Sequence, residues 1–110
     1  MSETDNIQPE DNRPEPGEPE IPLPPVSFEF LTLSLKTQVE IQLGLLHFGD
    51  ESERPKPDLR LARHTIDLMA MLQEKTRGNL SMAEQRLLDN SLTELRYRYV
   101  QAIEEAKKAI

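Results

Sequence analysis

Two histidines, His47 and His64, are the whole supply of imidazole in this chain, and they stand seventeen residues apart. The di-iron sites of helical bundles need a Glu-x-x-His pair on a helix, and no helix here carries such a pair or two histidines. There is no cysteine, which removes thiolate zinc sites, disulfides and thiol nucleophiles together. The sequence therefore predicts neither a metal nor a cofactor. Asp67 and Glu74 fall two turns apart on one helix face, about 10 Å along the axis. Carboxylates that cleave glycosides sit closer and face each other across a cleft. Arg60 and Arg63 interleave with these acids, the pattern of a solvated charged face. Ser34, Ser81 and Ser91 have structural roles on helices, and the four scattered glycines build no phosphate-cradling loop. No catalytic residue emerges, and the chain reads as non-enzymatic.

Nucleic-acid chemistry fares little better. Arg77, Arg86, Arg96 and Arg98 can line one edge of a helical hairpin, but acids match them nearly one for one. A duplex binder needs a net positive surface to release counterions. Tyr97 and Tyr99 are candidates for base stacking, yet Tyr99 falls in an apolar seam and Tyr97 at its margin. An adaptor on RNA or the ribosome is the alternative kept for this chain; salt-sensitive retention on a polyanion column distinguishes it. A small-ligand binder is the remaining alternative, with its pocket expected between the first two helices near Gln38, Gln42 and His64.

The elements that position these residues are helices. The clearest signal is Glu74-Lys75-Thr76-Arg77-Gly78-Asn79-Leu80-Ser81-Met82-Ala83-Glu84. Lys75 and Arg77 place positive charge in a last turn, and Gly78 can take the left-handed conformation that ends a helix. Ser81 and Glu84 form a capping box for the next helix. So short a connection forces two helices to lie side by side and antiparallel. The fold class is all-α, with three helices over about 27–44, 58–77 and 81–108.

In the second helix Leu61, Thr65, Leu68, Met69, Leu72 and Thr76 are expected to be buried. In the third, Leu88, Leu92, Leu95, Tyr99, Ala102 or Ile103, Ala106 and Ile110 form a heptad-like seam. That helix outruns the second by about three turns, and its overhang must fray, pack on the first helix or meet another subunit.

The first helix is the unusual one. Ser27 caps it, and Asp58 caps the second helix after a charged loop containing Pro55 and Pro57. Phe28, Leu31, Leu35, Val39 and Leu46 form one apolar stripe; Phe30, Leu33 and Ile41 form another on the opposite side. Charges occur only at Glu29, Lys36 and Glu40, in a narrow arc. A strand over residues 28–35 is an alternative by composition, but the 28, 31, 35, 39 spacing favours helix. A helix apolar on most of its circumference must be covered on most of it. Gln38 and Gln42 lie on its less charged surface. If buried they need partners, either glutamines across a two-fold axis or Arg96.

Residues 1–26 read as a disordered acidic leader, and residues 27–110 as the small helical domain. The leader holds seven of the nine prolines and seven acids against one arginine, a net charge of −6. The other 84 residues carry 12 Lys/Arg and 13 Asp/Glu, so the total of −7 belongs mostly to the leader. Its P-x-x-P spacings suit a polyproline groove, although a solubilising role is the simpler expectation. Ile21, Leu23 and Val26 are expected to lie on the helices and shield part of the first. The N-terminus is acidic, unlike a secretory leader, and no apolar run is long enough to span a bilayer, so the expected location is cytoplasmic.

The phrases FEFLTLSLKTQVEIQLG and LARHTIDLMAMLQEKTRGNLSMAEQRLLDNSLTELRYRYV resemble a bacterial family catalogued as domain of unknown function 1844, over about residues 26–100. That resemblance implies a small bacterial cytoplasmic helical protein, and it brings no activity, cofactor or catalytic residue with it. The residues point instead to assembly. The expectation is a homodimer, or a protein partner, bound through Phe28, Phe30, Leu31, Leu33, Leu35, Gln38, Ile41 and Gln42 of the first helix.

Overall fold

Each helix begins where a side-chain oxygen can accept an otherwise unpaired backbone N–H. A computed structural model describes residues 16–17 and 21–108 and shows α1 at Phe28–Gln42, α2 at Leu59–Lys75 and α3 at Met82–Lys108. No strand occurs among the described residues. Ser27 is extended, and its Oγ accepts from the Phe30 N–H at 3.0 Å. Asp58 Oδ1 accepts from the Leu61 N–H at 3.1 Å. At α3 the capping box is complete: Ser81 N–H donates to Glu84 Oε1 at 2.8 Å, and Glu84 N–H donates to Ser81 Oγ at 3.1 Å.

The ends are as specific as the starts. Gly44, with φ +77°, closes α1 in a Schellman arrangement. The Leu45 N–H reaches Glu40 O at 2.8 Å and the Gly44 N–H reaches Ile41 O at 3.0 Å. The chain then passes through a short 3-10 turn at Glu51–Glu53, and the Asp58 N–H returns to Gln42 O at 2.7 Å. This last bond pins the start of α2 to the end of α1. Beyond α2, Gly78 takes φ +80° and the chain turns within six residues into α3. The hairpin is locked along its side by Gln73 Nε2, which donates to Asp89 Oδ1 at 2.7 Å.

All three helices pack on one another. Their shared core is Val39 and Leu43 from the α1 end, Ala62, Ile66 and Met69 from α2, and Leu88, Leu92 and Leu95 from α3. Phe28, Leu35, Leu59, Leu80, Tyr99 and Ala102 pack around it, half-buried. Thr32 and Thr65 are buried too, and their hydroxyls donate to Phe28 O and Leu61 O one turn back.

Three details differ from the periodicity reading. On α2 the buried arc is rotated by about 60° at 100° per residue: Ala62 and Ile66 are inside, while Leu61 and Leu68 are exposed. Contact with α1 on one side and α3 on the other sets that arc, and small Ala62 lets a neighbour approach closely. On α1, Thr32 takes the inward position, and Leu31 turns out to solvent. Thr32 can do so because its hydroxyl is satisfied by its own helix. Finally, Ile21, Leu23 and Val26 do not shield the helices; they lie outside any helix or strand and are 76 %, 79 % and 105 % exposed. The remainder of the predicted disordered leader, residues 1–15 and 18–20, lies outside the described residues, as does Ile110 of the α3 seam.

Candidate functional site

Helical phase divides α1 into three zones. Phe28, Thr32, Leu35 and Val39 face the core, buried or half-buried. Glu29, Lys36 and Glu40 occupy an arc of about 40° beside them at 100° per residue. Lys36 Nζ meets Glu94 Oε1 of α3 at 3.2 Å, so that edge of α1 lies against α3. The rest of the circumference, about 160°, carries Leu33, Thr37, Phe30, Ile41, Ser34, Gln38 and Leu31 in angular order, with no charge among them. Phe30 and Leu33 are each 45 % exposed, and Leu31 and Ile41 each 42 %.

The uncharged surface continues onto α2. The Gln73–Asp89 bond places α3 against one edge of α2, as Lys36–Glu94 places it against one edge of α1. The opposite edges therefore border the outside of the α1–α2 groove. Those edges carry Leu31 and Gln38 on α1, and Leu61 and Leu68 on α2. Six half-exposed apolar side chains leave on the order of 500 Å² uncovered, at the upper end of the largest patch a monomer normally carries. Inside this edge lies Gln42, half-buried, whose Oε1 is enclosed and accepts no hydrogen bond from the described residues.

Of the eight residues expected to form an interface, Phe30, Leu31, Leu33, Gln38 and Ile41 are thus exposed and contiguous. Phe28 and Leu35 are packed against the protomer's own core. Gln42 stands at the boundary. Arg96, the partner considered for the glutamines, is exposed on α3 and bonds neither of them.

A second feature escaped the sequence. An open cleft of ≈ 650 Å³ lies between the α1–α2 connection and the overhanging turns of α3. Leu43, Leu45, Pro57, Leu59, Ala102 and Ala106 line it, with Lys56, Arg98, Gln101 and Glu105 at polar positions. The overhang of α3 thus forms one wall of this cleft: Ala102 and Ile103 are half-buried, and residues 104–108 are exposed. Arg54 holds the far part of this connection. It donates to Gly44 O and grips Glu51 through Nε–Oε2 at 2.7 Å and Nη2–Oε1 at 3.1 Å. That hydrogen bond, with the guanidinium charge, holds the Glu51 carboxyl below its ordinary range and raises Arg54 in return. No periodic signal announces such a cleft, because its walls come from a loop and a distant helix end. It is not where a pocket was expected: neither Gln38, Gln42 nor His64 lines it.

The other candidate chemistry is dispersed. His47 Nε2 lies 3.0 Å from Asp50 O, and His64 is exposed on α2. Asp67 pairs with Arg63 at 3.9 Å and Glu74 with Arg77 at 2.6 Å. No group of three or more His, Asp or Glu side chains converges among the described residues. Tyr97 is exposed and Tyr99 packs against the core. No described helix is long and apolar enough to cross a membrane.

A family model described as "Domain of unknown function (DUF1844)" matches residues 25–101, which take in all of α1 and α2 and most of α3. No curated protein and no solved structure matches the chain.

Proposed function

Because this chain belongs to the DUF1844 family, whose description names no activity, we propose its function from its surface: it is a non-enzymatic docking protein of the cytosol that acts by binding another protein surface through α1. One observation carries this proposal. Four large apolar side chains, Phe30, Leu31, Leu33 and Ile41, stand 42–45 % exposed on a helix face without a single charge. Scattered exposed leucines are ordinary, but a contiguous uncharged face with charge along one flank marks an interaction site. The core does not need these residues, since Thr32, Val39 and Leu43 already supply the α1 side of it.

The cytosolic placement rests on the absence of cysteine and on the lack of any described membrane-spanning helix. Site-specific photo-cross-linking tests the docking role. A photoreactive residue at Leu33, introduced into the full chain in the producing cell, should give a discrete protein adduct. The same probe at Arg60, on the charged side of α2, should give none. Absence of any adduct from Leu33 under conditions where the chain is folded and abundant would overturn the proposal.

A further inference from the structure

We infer that the surface covering α1 is a second copy of the same chain, paired about a two-fold axis that passes beside Ser34 and Thr37. This identifies the partner in the docking role proposed above, and it rests on that role.

Charge is the first argument. A two-fold pair sets each residue near its own copy, so any ionised group near the axis would meet its like. The outward face of α1 holds none: its central line is Phe30, Ser34, Thr37 and Ile41. A partner chosen by opposite charge would find nothing there to read. The acids Glu29 and Glu40 lie to one side, on the flank next to Lys36.

Shape is the second. The central line has the 4-3-4 spacing of a helix-pairing seam. Its two middle residues are small, and its two end residues are large. Helices that cross at an angle approach most closely at the crossing point and diverge from it. Small side chains at the crossing and bulky ones toward the ends fill that geometry. The Ser34 hydroxyl adds no unpaired donor, because it bonds Phe30 O at 2.8 Å.

The third is hydrogen-bonding capacity that can pair with itself. Gln38 is exposed on the edge of this face, and a primary amide is donor and acceptor at once, so it can exchange hydrogen bonds with an amide of a second copy. Of the described leader residues, the apolar Ile21, Leu23 and Val26 leave this surface uncovered, each standing exposed to solvent. The uncovered apolar area, on the order of 500 Å² with the α2 edge included, is more than half of the roughly 800 Å² per partner of a standard interface.

The test uses the full chain, which has no native thiol. The Thr37→Cys variant puts a single cysteine beside the proposed axis, and Asn90→Cys puts one on the exposed side of α3. Sedimentation equilibrium of the unmodified protein at 1–100 μM should give twice the 12.6 kDa chain mass. Under mild oxidation Thr37→Cys should form an intermolecular disulfide at least tenfold faster than Asn90→Cys. A 12.6 kDa species across the whole range, or equal disulfide rates in the two variants, would overturn the pairing. Should a heterologous adduct then arise at Leu33 in cells, the docking role would stand and only the identity of the partner would fall. If the adduct were absent as well, both would fall.

Discussion

Replacing Ile41 with glutamate should separate the pair and leave the protomer folded. Ile41 is 42 % exposed in the protomer, so that fraction of its surface remains for a partner to cover. Burying such a side chain completely is worth about 1.5–3 kcal/mol, so the uncovered fraction is worth about 0.6–1.3 kcal/mol per chain. A two-fold pair loses it twice, about 1.3–2.5 kcal/mol, which raises Kd by about 10- to 70-fold. Two carboxylates forced toward the seam raise it further, since neither has a cation on that face. Within the protomer the change is mild. Glutamate has at least the helix propensity of isoleucine, and its position in the last turn costs only a few tenths of a kcal/mol through the helix dipole. Sedimentation equilibrium gives the Kd, and far-ultraviolet circular dichroism with thermal melts at sub-micromolar concentration gives the protomer's stability. An unchanged Kd would refute the use of this face in pairing. Unfolding of the variant at concentrations where the parent is monomeric would refute the claim that Ile41 is dispensable to the core.

Three further outcomes follow from the fold itself. Leu92→Ala, at a position with no exposure, should destabilise the chain by about 2.7–5 kcal/mol in urea unfolding, whereas Leu33→Ala should cost the dissociated protomer much less. Ser81→Ala removes the oxygen that accepts the Glu84 N–H and should cost about 1 kcal/mol, read as a lower urea midpoint with unchanged slope. The Glu51–Arg54 clamp has a depressed carboxyl, so it is fully formed above the ordinary glutamate range and opens only as pH falls through the lowered value. The Arg54 Nε–H resonance, followed by NMR from pH 7 downward, should therefore hold its position through the ordinary glutamate range and shift only below it.

How much of this was legible beforehand depends on whether the cause was local. Ser27, Asp58, Gly78 and the Ser81/Glu84 box act within four residues, and each did in the structure what its type and spacing implied. The third-helix seam was legible through Leu88, Leu92 and Leu95, because one continuous stripe faces one core. The α2 face was not. Periodicity ranked Leu61 and Leu68 above Ala62 by hydrophobicity, while packing between two helices favoured the small residue. For α1, two apolar stripes were visible, but which of them faced inward was decided by α3 through Lys36–Glu94 and by Thr32 satisfying its own hydroxyl. The sequence likewise raised Gln38 and Gln42 together, and only the packed helices separate an exposed amide from one with an enclosed oxygen. The cleft beneath α3 was beyond reach, since its two walls are about forty residues apart in the chain and share no pattern.

Hydroxyl-radical footprinting of the full chain over a dilution series tests the covering of α1 most directly. Phe30, Leu33 and Ile41 should be protected at high concentration and should gain reactivity together on dilution, while Met82, 77 % exposed at the start of α3, stays equally reactive throughout. Reactivity of all three that does not change with concentration, and is as high as their exposure in the lone protomer allows, would contradict it.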